Sequence, residues 1–138
     1  MPFFVKLKVA DVERSTEWYV RALGFRALFV MSHPETGKPI TSHLRRAKYQ
    51  DILLVPGARG SGDEGCVMNM SLDGSPDELA RAALPSGVEP VEGPANTPWN
   101  TREVTFKDPD GYLLTFTGGP VAKRTFDDVV GSASSRMG

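Results

Sequence analysis

A chain of 138 residues, 40% hydrophobic and 24% charged, has the makeup of one globular domain long enough to bury a core. Its net charge of −1 gives no electrostatic reason to bind nucleic acid or an anionic membrane. No stretch resembles a signal peptide or a membrane span, so a cytoplasmic location is expected. The single cysteine, Cys66, excludes an internal disulfide and a cysteine-based metal site.

Residues 3–9 alternate, with Phe3, Val5, Leu7 and Val9 on one face and Phe4, Lys6 and Lys8 on the other, which predicts a strand. Asp11 is a suitable N-cap for a helix over 12–23, with Trp18, Tyr19, Ala22 and Leu23 inward and Glu13, Arg14, Glu17 and Arg21 outward. Gly24 stops that helix. Strands are predicted over 25–31, 40–47 and 50–55, with a polar turn at 32–39. Residues 56–65 contain four glycines and read as a linker.

The same order then recurs. A strand over 66–72 precedes Ser75-Pro76-Asp77-Glu78, a capping box with proline at the first helical position, and the helix runs to about Leu84. Gly87 follows as Gly24 did, a short strand is expected at 88–91, and 93–100 reads as a Pro-rich loop. Asp11 and Asp73 are 62 positions apart, and Gly24 and Gly87 are 63 apart, which indicates one supersecondary unit used twice. The last two strands flank Asp108-Pro109-Asp110-Gly111, where Pro109 presets φ and Gly111 accepts a positive one. Beyond it, Leu113, Thr115 and Thr117 share one face, and Leu114 and Phe116 the other. Residues 119–138 form a tail whose segment 125–130 could make a helical turn or two.

Two β-α-β-β-β modules, an Asp before each helix, the segment Val9-Ala-Asp-Val-Glu-Arg-Ser-Thr-Glu-Trp-Tyr…Leu-Gly-Phe25 and the segment Trp99-Asn-Thr-Arg-Glu-Val…Asp-Pro-Asp-Gly-Tyr112 together resemble the vicinal oxygen chelate superfamily. This is the glyoxalase, bleomycin-resistance and dioxygenase group. Gly93-Pro-Ala, Arg102-Glu and Phe116-Thr-Gly-Gly resemble its bleomycin resistance proteins. The resemblance implies an α+β fold: a curved sheet around a cavity, built from modules of about 1–57 and 64–118, and a homodimer with grooves at its interface.

In the enzymes of that group four inward side chains, mostly His and Glu, hold a divalent metal. Carried over by spacing, those positions are Phe4, Leu54, Val67 and Thr115, none of them a competent ligand for such a metal. A slip of one residue, to Phe3, Leu53, Val55, Cys66, Met68, Leu114 or Phe116, restores no set. The expectation is therefore a protein with no metal or cofactor and no catalytic residue assigned. A mostly apolar cavity is expected, lined by Phe4, Ile52, Leu54, Val67, Asn69, Leu113 and Thr115. His43 is a candidate ligand contact, and Trp99 either packs as a lid or stacks a ligand ring. Arg102 either holds a ligand anion or pairs with Glu103 or Asp108, and the ion pair is preferred. Glu103 is expected as the one carboxylate near the cavity. Lys6 and Lys8 are expected at a strand end or subunit boundary, and Cys66 as a small buried hydrophobe.

The leading expectation is a small-molecule binding protein that sequesters an antibiotic-like, partly aromatic ligand and so confers resistance. Its alternative is a lyase, isomerase or dioxygenase-like enzyme with a non-standard metal site, or a cofactor-free one using Glu103 or His43 as base. A third reading is a sensor or structural module whose own side chains fill the cavity.

Overall fold

The computed structural model describes residues 3–57 and 65–121. The linker tip at 58–64 and the expected helical turn at 125–130 lie outside them. β1 (Val5–Val9), α1 (Val12–Leu23), β2 (Arg26–Ser32), β3 (Pro39–Arg45) and β4 (Asp51–Pro56) form the first module. β5 (Val67–Ser71), α2 (Pro76–Ala83), β6 (Glu92–Asn96), β7 (Arg102–Lys107) and β8 (Leu113–Gly118) form the second. The strand orders are β1-β4-β3-β2 and β5-β8-β7-β6, so the inferred repeat is present as two equivalent mixed sheets. In each, the first strand pairs parallel with the last and the other pairs are antiparallel.

Local chemistry explains the helices. Asp11 accepts a hydrogen bond from the Arg14 N–H at 3.1 Å, and Gly24 ends α1 at φ 75°, a conformation that costs glycine little. Ser75 caps α2 by accepting from the N–H groups of Asp77 and Glu78.

One face of each sheet meets the helices and the other is open. Leu7, Val9, Leu44, Ile52 and Leu54 of the first sheet are buried with Tyr19 and Leu23 of α1. Val104, Phe106, Leu114 and Phe116 of the second are fully buried, with Leu79 and Ala83 of α2 in the same core. Each large side chain removed from water contributes roughly 1.5–3 kcal/mol before entropy is set against it.

The expected strand at 88–91 is not formed, and the strand falls at Glu92–Asn96, inside the segment read as a loop. Pairing decides this: Glu92 lies opposite Thr105, and Ala95 opposite Glu103, with a register shift between them. The bulge absorbs Pro94, which cannot donate to a ladder. Only glycine suits position 93, because its φ is 75° and a Cβ there would stand 2.5 Å from the Glu103 carbonyl oxygen.

The Asp108–Gly111 turn joins the two modules. Asp108 Oδ2 accepts from the Tyr19 hydroxyl at 2.6 Å, while its Oδ1 accepts from the backbone N–H groups of Asp110 and Tyr112. Asp110 accepts from the Ala10 N–H at 2.9 Å and the Ser15 hydroxyl at 3.2 Å. Tyr112 in turn donates to the Lys8 carbonyl at 2.9 Å. Burial pushes the Tyr19 phenol well above its ordinary range, and the neighbouring Asp108 adds to the shift. Burial also raises the Asp108 carboxyl, against the hydrogen bonds that favour its ionised form. Arg46 reaches between the modules, donating to the Leu23 carbonyl at 2.9 Å, with its guanidinium 5.3 Å from the centre of the Phe116 ring.

Candidate functional site

Register determines which side chains reach the open faces. On the second sheet, Glu92, Thr105, Thr115 and Asn69 form one row across β6, β7, β8 and β5. Ala95, Glu103, Thr117 and Ser71 form the next. Over the β6–β7 end lies a hollow of about 310 Å³, bordered by Glu92, Glu103, Thr105, Thr115 and the loop residue Trp99. Trp99 is 50% exposed, so much of its ring is uncovered.

The floor of this hollow is polar. Thr105 and Thr115 are 8% and 7% exposed, and their hydroxyls lie 2.7 Å apart. Thr117 Oγ1 is within donor distance of both Asn69 Oδ1, at 2.8 Å, and Glu103 Oε2, at 3.2 Å. It has one proton to give, so neither acceptor is saturated. The arrangement can receive N–H and O–H donors from a ligand and offer a flat ring for stacking.

Of the candidate ligand residues, Trp99 and Thr115 border this hollow. Val67, Asn69 and Leu113 lie on the same open face beside it. Ile52 and Leu54 do not face any hollow on the open side: both are fully buried against α1. The parity assumed for β4 is reversed, because Leu7 pairs with Leu54 and Ser42 with Leu54 on the core side, leaving Leu53 and Val55 outward. Ile52 and Leu54 are thus corrected from cavity to core positions, and the hollow beside β6 and β7 is bordered by threonines and two glutamates together with Trp99, Pro98 and Ala95.

Arg102 projects to the helix side instead. Its Nε lies 2.6 Å from Asp77 Oδ2 and its Nη2 3.0 Å from Oδ1, with Nη1 2.9 Å from Asn96 Oδ1. This fork-on-carboxylate pairing replaces the expected partners Glu103 and Asp108, and the Arg102 hydrogen bond holds the Asp77 carboxyl below its ordinary range. Cys66 is exposed just before β5, not buried. Glu103 is accompanied at the hollow by a second carboxylate, Glu92, which alternation alone could not place because of the bulge.

His43 belongs to the other open face. It stands on β3 with Arg45, opposite Leu53 and Asp51 of β4. Its Nε2 is 2.9 Å from Asp51 Oδ1, and the Arg45 Nε is 2.7 Å from the same oxygen. Burial would raise the Asp51 carboxyl, but the bonds from Arg45 and His43 outweigh it and the net displacement is downward. Asp51 was not anticipated, although polar residues at 43, 45 and 51 on a hairpin were its visible signal. Phe4 is 40% exposed ahead of β1, whose Lys6 and Lys8 also point outward.

The open-face positions of β1, β4, β5 and β8 include Lys6, Lys8, Asp51, Leu53, Val55, Val67, Asn69, Leu113 and Thr115. Asp51 is the one carboxylate among them and is held by Arg45 and His43, so the donor chemistry does not fit a transition-metal centre at those positions. Among the described residues no group of three or more His, Cys, Asp and Glu is gathered to hold a metal ion.

Two β-α-β-β-β modules clamped by an Asp-Pro-Asp-Gly turn, with a small-molecule-sized hollow on an open sheet face, define a class of proteins built on this repeat. The chain belongs to the Glyoxalase/Bleomycin resistance protein/Dioxygenase superfamily, whose family profile matches residues 3–116. It is similar in fold to TioX from Micromonospora sp. ML1, at 24% identity and TM-score 0.67, covering 88% of this chain and 98% of that one. An integron cassette protein from the mobile metagenome of the Halifax Harbour sewage outfall is 26% identical, with TM-score 0.67 and coverage of 85% and 97%. TnmS3, an antibiotic binding protein from Streptomyces sp. CB03234, is 23% identical, with TM-score 0.65 and coverage of 83% and 92%. No curated protein matches the sequence. Among the described residues no helix is long and apolar enough to cross a membrane.

Proposed function

We propose that this chain binds a bulky, ring-bearing small molecule of the antibiotic type without a metal and confers resistance by lowering its free concentration. The observation that carries the reading is the half-exposed Trp99 ring standing over a floor of buried threonine hydroxyls. An uncovered indole beside unsaturated acceptors offers a ligand stacking area and orientation at once. The likeness to TnmS3, an antibiotic binding protein, supports the same direction. Binding as a homodimer is part of this reading. It is supported by the outer strand β2, where Leu28, Phe29, Val30 and Met31 are each at least 40% exposed. Sedimentation equilibrium on the full chain tests it, and a monomer at micromolar concentration would remove the dimer from the reading. For sequestration, calorimetric titration of ring-bearing antibiotics should give saturable binding, with the ligand recovered unchanged by mass spectrometry. Chemical turnover would sink it.

One observation favours a second reading, catalysis without a cofactor. Asp51 fixes the His43 ring in the manner of a carboxylate that orients a general base. Under it, His43→Ala abolishes turnover in a screen of 2-oxo and thiohemiacetal substrates. Under sequestration there is no turnover to abolish.

A further inference from the structure

On the helix side, the seam between the modules opens a groove of about 540 Å³ that shares no residue with the hollow beside Trp99. The end of α1 and the segment after β3 form one wall; the segment after β5 and the start of α2 form the other. Leu23 on the first wall, and Leu72 and Leu79 on the second, give the groove an apolar part. Its charges are segregated: Arg21 and Arg46 belong to the first-module wall, and Asp73 and Glu78 to the second-module wall. Two contacts tie the walls together. Gln50 Nε2 donates to the Ser71 carbonyl at 2.8 Å, and the Arg46 guanidinium lies 5.3 Å from the centre of the Phe116 ring.

Opposite charges lining one groove would ordinarily pair, yet these do not. Among the described residues none of the four is in a salt bridge, whereas Asp51 and Asp77 each hold an arginine. Arg46 is the sharper case. Burial holds its guanidinium below the ordinary range, with Asp73 acting in the opposite direction. Its Nε donates to the Leu23 carbonyl at the end of α1, and among the described residues no acceptor meets its Nη groups. A guanidinium taken out of much of its water with donors unspent calls for an anion. Asp73 and Glu78 are exposed at the same groove and open to a cation.

We propose that this groove binds a zwitterion of the amino-acid class, with an ammonium and a carboxylate at one end and an apolar side chain. The carboxylate is received by Arg46 and Arg21, and the ammonium by Glu78 and Asp73. The side chain lies against Leu23, Leu72 and Leu79. A simple anion would leave the two acids unmet, and a simple cation the two arginines, so neither satisfies both walls. The site is distinct from the hollow of the second sheet, and its ligand needs no ring.

The test titrates three probes into the isotope-labelled full chain at neutral pH, followed by backbone amide shifts in NMR. They are L-leucine, isocaproate, which lacks the ammonium, and isopentylamine, which lacks the carboxylate. Leucine should give saturable shifts at Gly24, Ala47 and Gly74 and bind about tenfold tighter than either fragment. Arg46→Gln should bring leucine towards isopentylamine in affinity, and Glu78→Gln should bring it towards isocaproate. Arg46 also bonds the end of α1, so Arg21→Gln, at an exposed position, keeps the carboxylate arm decisive if Arg46→Gln folds poorly. Trp99→Ala should leave leucine binding unchanged, which separates a failure here from a failure of the sequestration reading. Equal affinity for the three probes overturns the proposal, as do shifts confined to other surfaces or the absence of any saturable shift. If the stability losses of Arg21→Gln and Glu78→Gln fail to add in the double variant, the walls pair with each other in solution and the proposal falls.

Discussion

The two modules share strand order, helix placement and a fully buried face, yet their outer strands are made of opposite material. β2 presents four consecutive apolar residues, Leu28 to Met31, on a seven-residue strand with every position exposed. β6, at the equivalent place, is Glu-Gly-Pro-Ala-Asn, kinked by a bulge and unable to donate at Pro94. A regular, apolar edge such as the first is the kind that other strands pair with, whereas a bulge and a proline blunt the second. Their open faces differ in the same sense: the first sheet carries Lys6, Lys8, Arg45 and the His43–Asp51 pair, and the second carries hydroxyls and glutamates. Core-facing positions are apolar and packed in both modules, while the open-face residues differ between them, so the repeat is one of architecture and not of chemistry.

The comparison can be broken hardest at the buried faces. Phe116→Ala in the second module should cost about 3–5 kcal/mol by urea denaturation, and Leu54→Ala in the first about 2–5 kcal/mol. Leu53→Ala, one residue away on the open face, should cost well under half as much. Equal losses at 53 and 54 would reverse the face assignment of β4.

A smaller effect tests whether the modules stand or fall together. Tyr19→Phe deletes the hydroxyl that donates to Asp108 across the module boundary and should cost about 1–3 kcal/mol in a single unfolding transition. Two separated transitions in the wild-type chain would show that the turn does not couple them.

Asp51→Asn probes the charged face of the first sheet and should cost about 1–2 kcal/mol at neutral pH. The folded Asp51 carboxyl lies below its unfolded value, so its contribution is present above about pH 4 and is lost as pH falls through the folded value. The stability gap between wild type and Asp51→Asn should therefore close in acid. A gap that widened there would contradict the sign of the shift.

The smallest expected change in stability is at Trp99→Ala, within about 0.5 kcal/mol, because the ring is half exposed. The same substitution should weaken ring-bearing ligands about three- to tenfold by calorimetry, which separates the site of the second module from its scaffold.

Much of the fold was legible. Alternation in β1 and β8, the Asp11 and Ser75 caps and the Gly24 and Gly87 stops are local, and local chemistry alone suffices to place them. The site was legible in part. Thr115 and Trp99, singled out because β8 alternates cleanly and an indole on a Pro-rich loop stands out, do border the hollow of the candidate site. Ile52 and Leu54 were assigned to the wrong face because β4 reads Ile-Leu-Leu-Val, apolar at every position, and a continuous apolar run contains no parity.

By itself, the sequence determined the helices with their caps and the Asp108–Gly111 turn, since each depends on residues a few positions apart, and it indicated the repeat because that local order of elements occurs twice; that the turn also joins the halves rests on Tyr19, Ala10 and Ser15, distant along the chain. Tertiary structure alone decided which face of β4 is buried, where the bulge puts Glu92, and that Asp77 and Asp51 claim Arg102 and His43. Those outcomes depend on cross-strand register and on partners distant along the chain, where many pairings satisfy the same pattern and only packing selects one.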